Sequence, residues 1–156
     1  MIFLRTPDES DIDLILKWEN NPENWTYSDT NEPYSRSDIE NLIIELAKGG
    51  SAQKRYLICS RGEINPVGTI DLFEIDNIRG EASVGVLIES KNNRRRGYAS
   101  SALMLLEALC HEFQIQTLKA NVHPWDEASL QLFDKAGFKT VDVKQDLVKF
   151  EKWLKK

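Results

Sequence analysis

Histidine and cysteine are scarce in this sequence, two of each, and no long apolar run is present. Cys59 and Cys110 stand far apart with no second pair. They make neither a metal-ligand set nor a disulfide framework and are read as buried reduced thiols. His111 and His123 alone cannot furnish a histidine-rich metal site, so no metal is expected. No stretch comes near the roughly 18 to 20 consecutive apolar residues of a membrane span. Met1-Ile2-Phe3-Leu4-Arg5-Thr6-Pro7 is too short and too soon interrupted for a secretory signal, which makes the expected location cytoplasmic. Positive charge is also in deficit: 20 Lys+Arg against 25 Asp+Glu leave a net charge of −5. That sign is wrong for holding polyanions across the whole surface. The expectation is no nucleic acid, no membrane, and a small or cationic partner.

What is present suffices for one domain over residues 1–156, within the usual domain size of roughly 100 to 200 residues. With 41% hydrophobic and 29% charged residues, the chain can bury a core and is not a disordered polyampholyte. Ser10 or Asp8 caps a predicted helix over 10–19 whose inner side is Ile12, Ile15 and Leu16. Asn20-Asn21-Pro22 ends it. Ile39, Leu42, Ile43, Leu46 and Ala47 follow i, i+3, i+4, i+7, i+8 spacing, the signature of a second helix, stopped by Gly49-Gly50. Between the two, 24–33 is a polar and aromatic connection able to line a cleft. The period then changes: 55–60, 67–74 and 82–88 are β-branched and aromatic runs parted by turn residues, an antiparallel meander. Ala99, Ala102, Leu103, Leu106, Leu109, Cys110 and Phe113 restore helical spacing over 97–113. A strand at 117–123, a short helix at 126–136 closed by Gly137, and final strands at 138–143 and 147–150 complete the order.

The 82–88 strand leads through Asn92-Asn93 into Arg94-Arg95-Arg96-Gly97-Tyr98-Ala99 at the mouth of the long helix. A helix start leaves backbone N–H groups unpaired and carries about half a positive charge, and glycine lets a phosphate approach the main chain closely. Three guanidiniums beside such a start, in an otherwise acidic protein, point to a bound anion.

Those six residues resemble the pyrophosphate loop of the GNAT acetyltransferase superfamily, R/Q-x-x-G-x-G/A, in that family's setting between an apolar strand and an amphipathic helix. Downstream, Asp126-Glu127-Ala128-Ser129-Leu130-Gln131-Leu132-Phe133-Asp134-Lys135-Ala136-Gly137-Phe138 is similar to the family's N-x-x-S-x-x-L-[YF]-x-K-x-G-F. The resemblance covers nearly the whole chain. It narrows toward the spermidine/spermine N-acetyltransferases and the ribosomal-protein N-terminal acetyltransferases through Asn31-Glu32-Pro33-Tyr34, Asp38-Ile39-Glu40 and Leu72-Phe73-Glu74-Ile75-Asp76.

The resemblance implies a single-domain α/β (α+β) fold: a mixed, mostly antiparallel sheet with splayed central strands and about four helices. It implies acetyl-coenzyme A as cosubstrate in the gap. Main-chain groups of Val86, Leu87 and Ile88 would pair with the pantetheine arm, and Arg94, Arg95, Arg96, Gly97, Tyr98 and Ala99 would hold the pyrophosphate, with Asp126 and Ser129 from the second segment. Gly85 within that strand suits a bulge or a close backbone approach. Spaced carboxylates suit a polyamine, and Glu32, Glu40 and Glu74 match acidic positions of the polyamine enzymes, with Asp29, Asp71 and Tyr34 on the same rim.

No Ser-His-Asp arrangement or catalytic cysteine is evident, so the bound amine attacks the thioester directly in a ternary complex. Neutralising a lysine-like amine at pH 7 costs about 4 kcal/mol. Glu74, facing the gap from its strand, is the first choice of base and His123 the second; Ser129 or Tyr98 would offer a hydroxyl to the departing sulfur. Three departures stand out. Phe133 occupies the place of a common tyrosine and cannot donate a proton, Asp126 replaces an asparagine and fits a helix cap, and the tail beyond Phe138 is short for the final hairpin of the polyamine enzymes. The acceptor is thus a polyamine or other small cationic amine, with a protein N-terminus as the rival. A module that binds acyl-coenzyme A without turnover is a further alternative, motivated by Phe133 and Asp126. Acyl chain preference and oligomeric state, a homo-oligomer included, stay open.

Overall fold

The computed structural model describes residues 1–22, 33–48, 53–89 and 97–154. β1 (Ile2–Arg5) leads through a 3₁₀ turn at Glu9–Asp11 into α1 (Ile12–Glu19), followed by α2 (Arg36–Lys48). β2 (Lys54–Ser60), β3 (Gly68–Asp76) and β4 (Glu81–Ile88) form the expected antiparallel meander. Then come α3 (Tyr98–Glu112), β5 (Thr117–Val122), α4 (Glu127–Lys135), β6 (Lys139–Val143) and β7 (Val148–Trp153). The seven strands make one sheet in the order β1-β2-β3-β4-β5-β7-β6.

Sheet pleat sorts the apolar residues to two faces. Ile58, Ile70, Leu72, Ala82, Val84, Leu118 and Ala120 lie with Leu103, Leu106 and Cys110 of α3 in the main core, which Phe133 of α4 also enters. On the other face, Leu57 and Cys59 meet Ile12, Ile15 and Trp18 of α1 and Ile39 and Ile43 of α2. Trp18 is a core residue that the spacing of the first helix did not single out, whereas Leu16, expected inside, is only half-buried. Asp8 caps the 3₁₀ turn reciprocally with Asp11, and Asp11 also takes both guanidinium nitrogens of Arg5 at 2.8 and 2.9 Å. Hydrogen bonds from Arg5 hold the Asp11 carboxyl below the usual carboxylate range despite its burial.

Two expectations need correction. The bulge falls on β3, where the register shifts between Phe73 and Asp76 and Glu74 takes φ +50°, not at Gly85. A Cβ on Gly85 would lie at an ordinary 3.5 Å from Phe73, whereas one on Gly68 would lie 2.1 Å from the Leu87 carbonyl oxygen, so Gly68 is where a neighbouring backbone requires glycine. The last strand does not end at 150: β7 runs to Trp153, pairs with β5 over Thr117–Val122 on one side and with β6 on the other, and is followed by buried Leu154.

Candidate active site

β4 and β5 are the only parallel neighbours among the described strands, and α3 supplies the crossover that parallel strands need. Their register holds only from Glu81↔Thr117 to Ser83↔Lys119. Beyond it, 84–88 and 120–122 run on unpaired with each other while their outer edges stay pinned to β3 and β7. The sheet therefore opens toward the C-terminal ends of two parallel strands, the place where open α/β sheets hold ligands.

The pleat decides which backbone groups border the opening. The Leu87 carbonyl turns toward β3, as its approach to Gly68 shows. Polar groups of alternate strand residues face opposite edges, so Val86 presents its N–H and C=O to the gap and Leu87 does not. At the same end of the sheet α3 begins at Gly97, which is exposed and has φ +80° with no atom within 4 Å of a built Cβ. Among the described residues no side chain caps this helix start, and no acidic residue lies in its first turn. Ser101 is the first residue to close the turn, bonding the Gly97 carbonyl at 3.0 Å. The N–H groups of Tyr98, Ala99 and Ser100 thus precede the intrahelical ladder, which suits an anion. The Tyr98 ring is half-buried against the main core. Arg94, Arg95 and Arg96 lie outside the described residues, as do Asp29 and Glu32.

Across the gap, α4 begins just beyond β5. Asp126 caps it, accepting from the Ser129 N–H at 3.2 Å, and Ser129 is half-buried at its first turn. Phe133, only 4% exposed, sets its ring edge-on to Phe138 at 5.0 Å and near Phe150 at 5.9 Å, a packing position. His123, at the end of β5, stacks on Trp125.

The acidic candidates divide. Glu74 does not face the gap as expected: it lies in the β3 bulge beside Glu81–Ser83, the stretch of β4 still paired with β5, with β4 between it and the opening, exposed and without an ion pair among the described residues. Glu40 pairs with Arg36 at 3.2 Å, and Arg36 reaches Asp13 of α1 as well. Asp71 is not a free rim carboxylate, because it takes Arg55 in a two-pronged contact at 2.9 and 3.0 Å while Arg55 also bonds Glu19 at 2.8 Å. Burial opposes the Arg55 charge, but attraction to Asp71 and then Glu19 outweighs it and holds the guanidinium above its ordinary range. Tyr34 is gripped through its main chain: its N–H donates to Asn20 Oδ1 at 2.7 Å and its carbonyl accepts from Asn20 Nδ2 at 2.9 Å. Its ring lines a cleft of about 460 Å³ with Glu19, Asp38, Glu45 and Arg55. Periodicity carries no sign of the Arg55–Asp71–Glu19 triad or the Asn20–Tyr34 clamp, because both join residues distant in sequence. Among the described residues no group of His, Cys, Asp and Glu could hold a metal, and no helix is long and apolar enough to cross a membrane.

The family model described as acetyltransferase (GNAT) domain matches residues 2–139. No curated protein matches the chain. Among solved structures, spermidine N-acetyltransferase from Vibrio cholerae in complex with CoA and spermine is similar, with TM-score 0.86 and 19% identity over 98% of this chain and 95% of that one. A domain from Methanocaldococcus jannaschii gives TM-score 0.79 and 16% identity over 99% of both chains. A ribosomal L7/L12 alpha-N-protein acetyltransferase gives 0.80 and 18% over 97% of this chain and 90% of that one.

Proposed function

Because the chain belongs to the GNAT acetyltransferase family, and so is an acetyl-coenzyme A-dependent N-acetyltransferase, we propose that its acceptor is a small amine carrying more than one positive charge. The observation that carries the cofactor part of this reading is the parallel β4–β5 pair that stops at Ser83↔Lys119, with the start of α3 at Gly97 beside its open end and no side-chain cap there among the described residues. The N–H groups at Tyr98 and Ala99 would hold the diphosphate, joined by Arg94, Arg95 and Arg96, and the Val86 main chain would pair with the pantetheine arm and donate its N–H to the thioester oxygen. The acidic balance of the chain favours a cation, and Glu32, Glu40, Asp29 and Tyr34 are the residues proposed to meet it.

The neutral amine nitrogen attacks the thioester carbonyl carbon, the oxyanion forms and collapses, the C–S bond breaks, and one proton leaves the nitrogen. His123, directly after β5, is the proposed acceptor of that proton through water; Glu74, the first choice on the sequence, lies across β4 beside the closed stretch 81–83 and would need a longer water chain. A coenzyme A thiol resembles cysteine with a pKa of about 8.5, so its thiolate departs without a tyrosine at position 133. Ser129 or Tyr98 supplies a hydroxyl hydrogen bond to the sulfur.

Thiol release from acetyl-coenzyme A with spermidine, a monoamine and a short N-terminal peptide tests the reading. Spermidine is expected to be the preferred acceptor. Preference for the peptide replaces the amine with a protein N-terminus, and silence with all three despite cofactor binding leaves a non-catalytic acyl-coenzyme A module. Gly97→Ala, which carries only the strain of the left-handed backbone, about 1 kcal/mol, should bind acetyl-coenzyme A nearly as the parent does. Gly97→Glu, which adds a negative charge at the diphosphate, should bind roughly tenfold more weakly or worse. Equal binding by Gly97→Glu and the parent would sink the assignment.

A further inference from the structure

The sequence His123-Pro124-Trp125-Asp126 puts two rings two residues apart at the end of β5. The chain there turns tightly, with the Asp126 N–H on the His123 carbonyl at 3.0 Å and the Glu127 N–H on the Trp125 carbonyl at 3.1 Å. The turn stacks imidazole on indole, centroids 5.3 Å apart and planes only 7° from parallel. The β6–β7 turn comes up beside it, closed by the Lys144 N–H on the Leu147 carbonyl at 2.8 Å. His123 Nδ1 lies 3.4 Å from the Asp146 carbonyl oxygen, which can only accept, so Nδ1 is the donor that joins the two turns. Together His123, Pro124, Trp125, Gln145 and Asp146 line a cleft of about 650 Å³ at the end of the β5 strand that borders the gap.

Each part of this cleft has its own chemistry. Trp125 is 55% exposed with its ring stacked on the imidazole, and Asp146, whose main-chain carbonyl meets His123, lines the same cleft. An aromatic face beside a carboxylate attracts an alkylammonium by cation–π and charge attraction together, while its apolar surface takes the methylene stem. The carboxylate works against a phosphate. Resting on the reading of the gap as the seat of acetyl transfer, we propose that Trp125 and Asp146 form the subsite for the distal ammonium of the acceptor, with His123 positioning the indole. The cleft then selects di- and polyamines over monoamines by binding the end that does not react.

Calorimetric titration of spermidine and of pentylamine, with and without saturating coenzyme A, tests this. Trp125→Ala and Asp146→Asn should each weaken spermidine binding about three- to fivefold, the scale of an exposed cation–π contact or ion pair. Pentylamine and coenzyme A affinities should change less than about twofold. Trp125→Phe, which keeps an aromatic face, should retain most of the spermidine affinity. The inference is overturned if spermidine binds the variants as it binds the parent, if the parent binds no spermidine, or if both amines weaken equally. It is also overturned if Trp125→Ala weakens coenzyme A, since the indole would then seat the adenine. Spermidine bound in this way but never acetylated would sink the acceptor reading above and leave the subsite standing.

Discussion

Phe133 shows how a single side chain can be misjudged when only its chemistry is considered. A phenyl ring in place of a hydroxyl reads as a lost acid, yet its ring lies edge-on to Phe138 within the main core, where what it contributes is packing. Leu87 and Val86 make a similar point. They are adjacent and equally apolar, and only the pleat, revealed by the Leu87 carbonyl against Gly68, turns the Val86 main chain toward the gap. Cys110 on the inner face of α3 is wholly buried, and burial pushes its thiol up to about 12. Its ionisation in the unfolded chain, near pH 8.5, comes well before its ionisation in the fold. The stability it contributes is therefore complete below about pH 8.5 and is lost as pH rises toward 12. Urea midpoints measured at pH 8 and pH 10 should fall less for Cys110→Ala than for the parent. A thiol reagent at pH 8 should find neither cysteine in the folded protein and both in urea; fast labelling of the native protein would contradict the buried thiols.

Between elements, long-range polar contacts tie the first helix to the sheet and to the start of the second. Arg55 of β2, Asp71 of β3 and Glu19 of α1 form one half-buried charge group, which ties the end of α1 to the middle of the sheet. One residue on, Asn20 takes the main chain of Tyr34, so the connection between α1 and α2 leaves and returns at a clamped base. Removing one partner from such a group leaves a buried charge undercompensated, at a cost of about 3 kcal/mol. Asp71→Ala should lower the urea midpoint accordingly, with unchanged slope, and Arg55→Met combined with Asp71→Leu should recover much of the loss. If Asp71→Ala left stability intact and selectively raised the KM for amine, the carboxylate would belong to the acceptor after all.

At the level of the whole molecule, a core packs on each face of the sheet, and the pairing of β4 with β5 stops at Ser83↔Lys119. The outer edges of β4 and β5 are fixed by β3 and β7, so the parting of the two strands belongs to the fold itself. A ligand that binds only the folded chain stabilises it by about 2.7 kcal/mol at one hundred times its Kd. For a domain of this size that raises Tm by roughly 5 to 10 °C. Acetyl-coenzyme A at that excess should produce such a shift in a thermal melt, and AMP, which lacks both the diphosphate and the pantetheine arm, should produce much less. No shift with the acyl carrier would count against the gap as its seat.

Much of this was already written in the order of residues. Apolar spacing marked α2 and α3, β-branched runs marked the meander, and Gly97 marked the start of α3, because each signal lies within a few consecutive residues whose local geometry is set by their own backbone and side chains. Local pattern could not reach the stop at Ser83↔Lys119, the edge to which Val86 faces, the bulge at Glu74, the Arg55 triad or the meeting of Trp125 with Asp146. Those depend on which strands become neighbours and in what register. That choice is made by burying both faces of one sheet at once, a condition that involves the entire chain and that no short window contains.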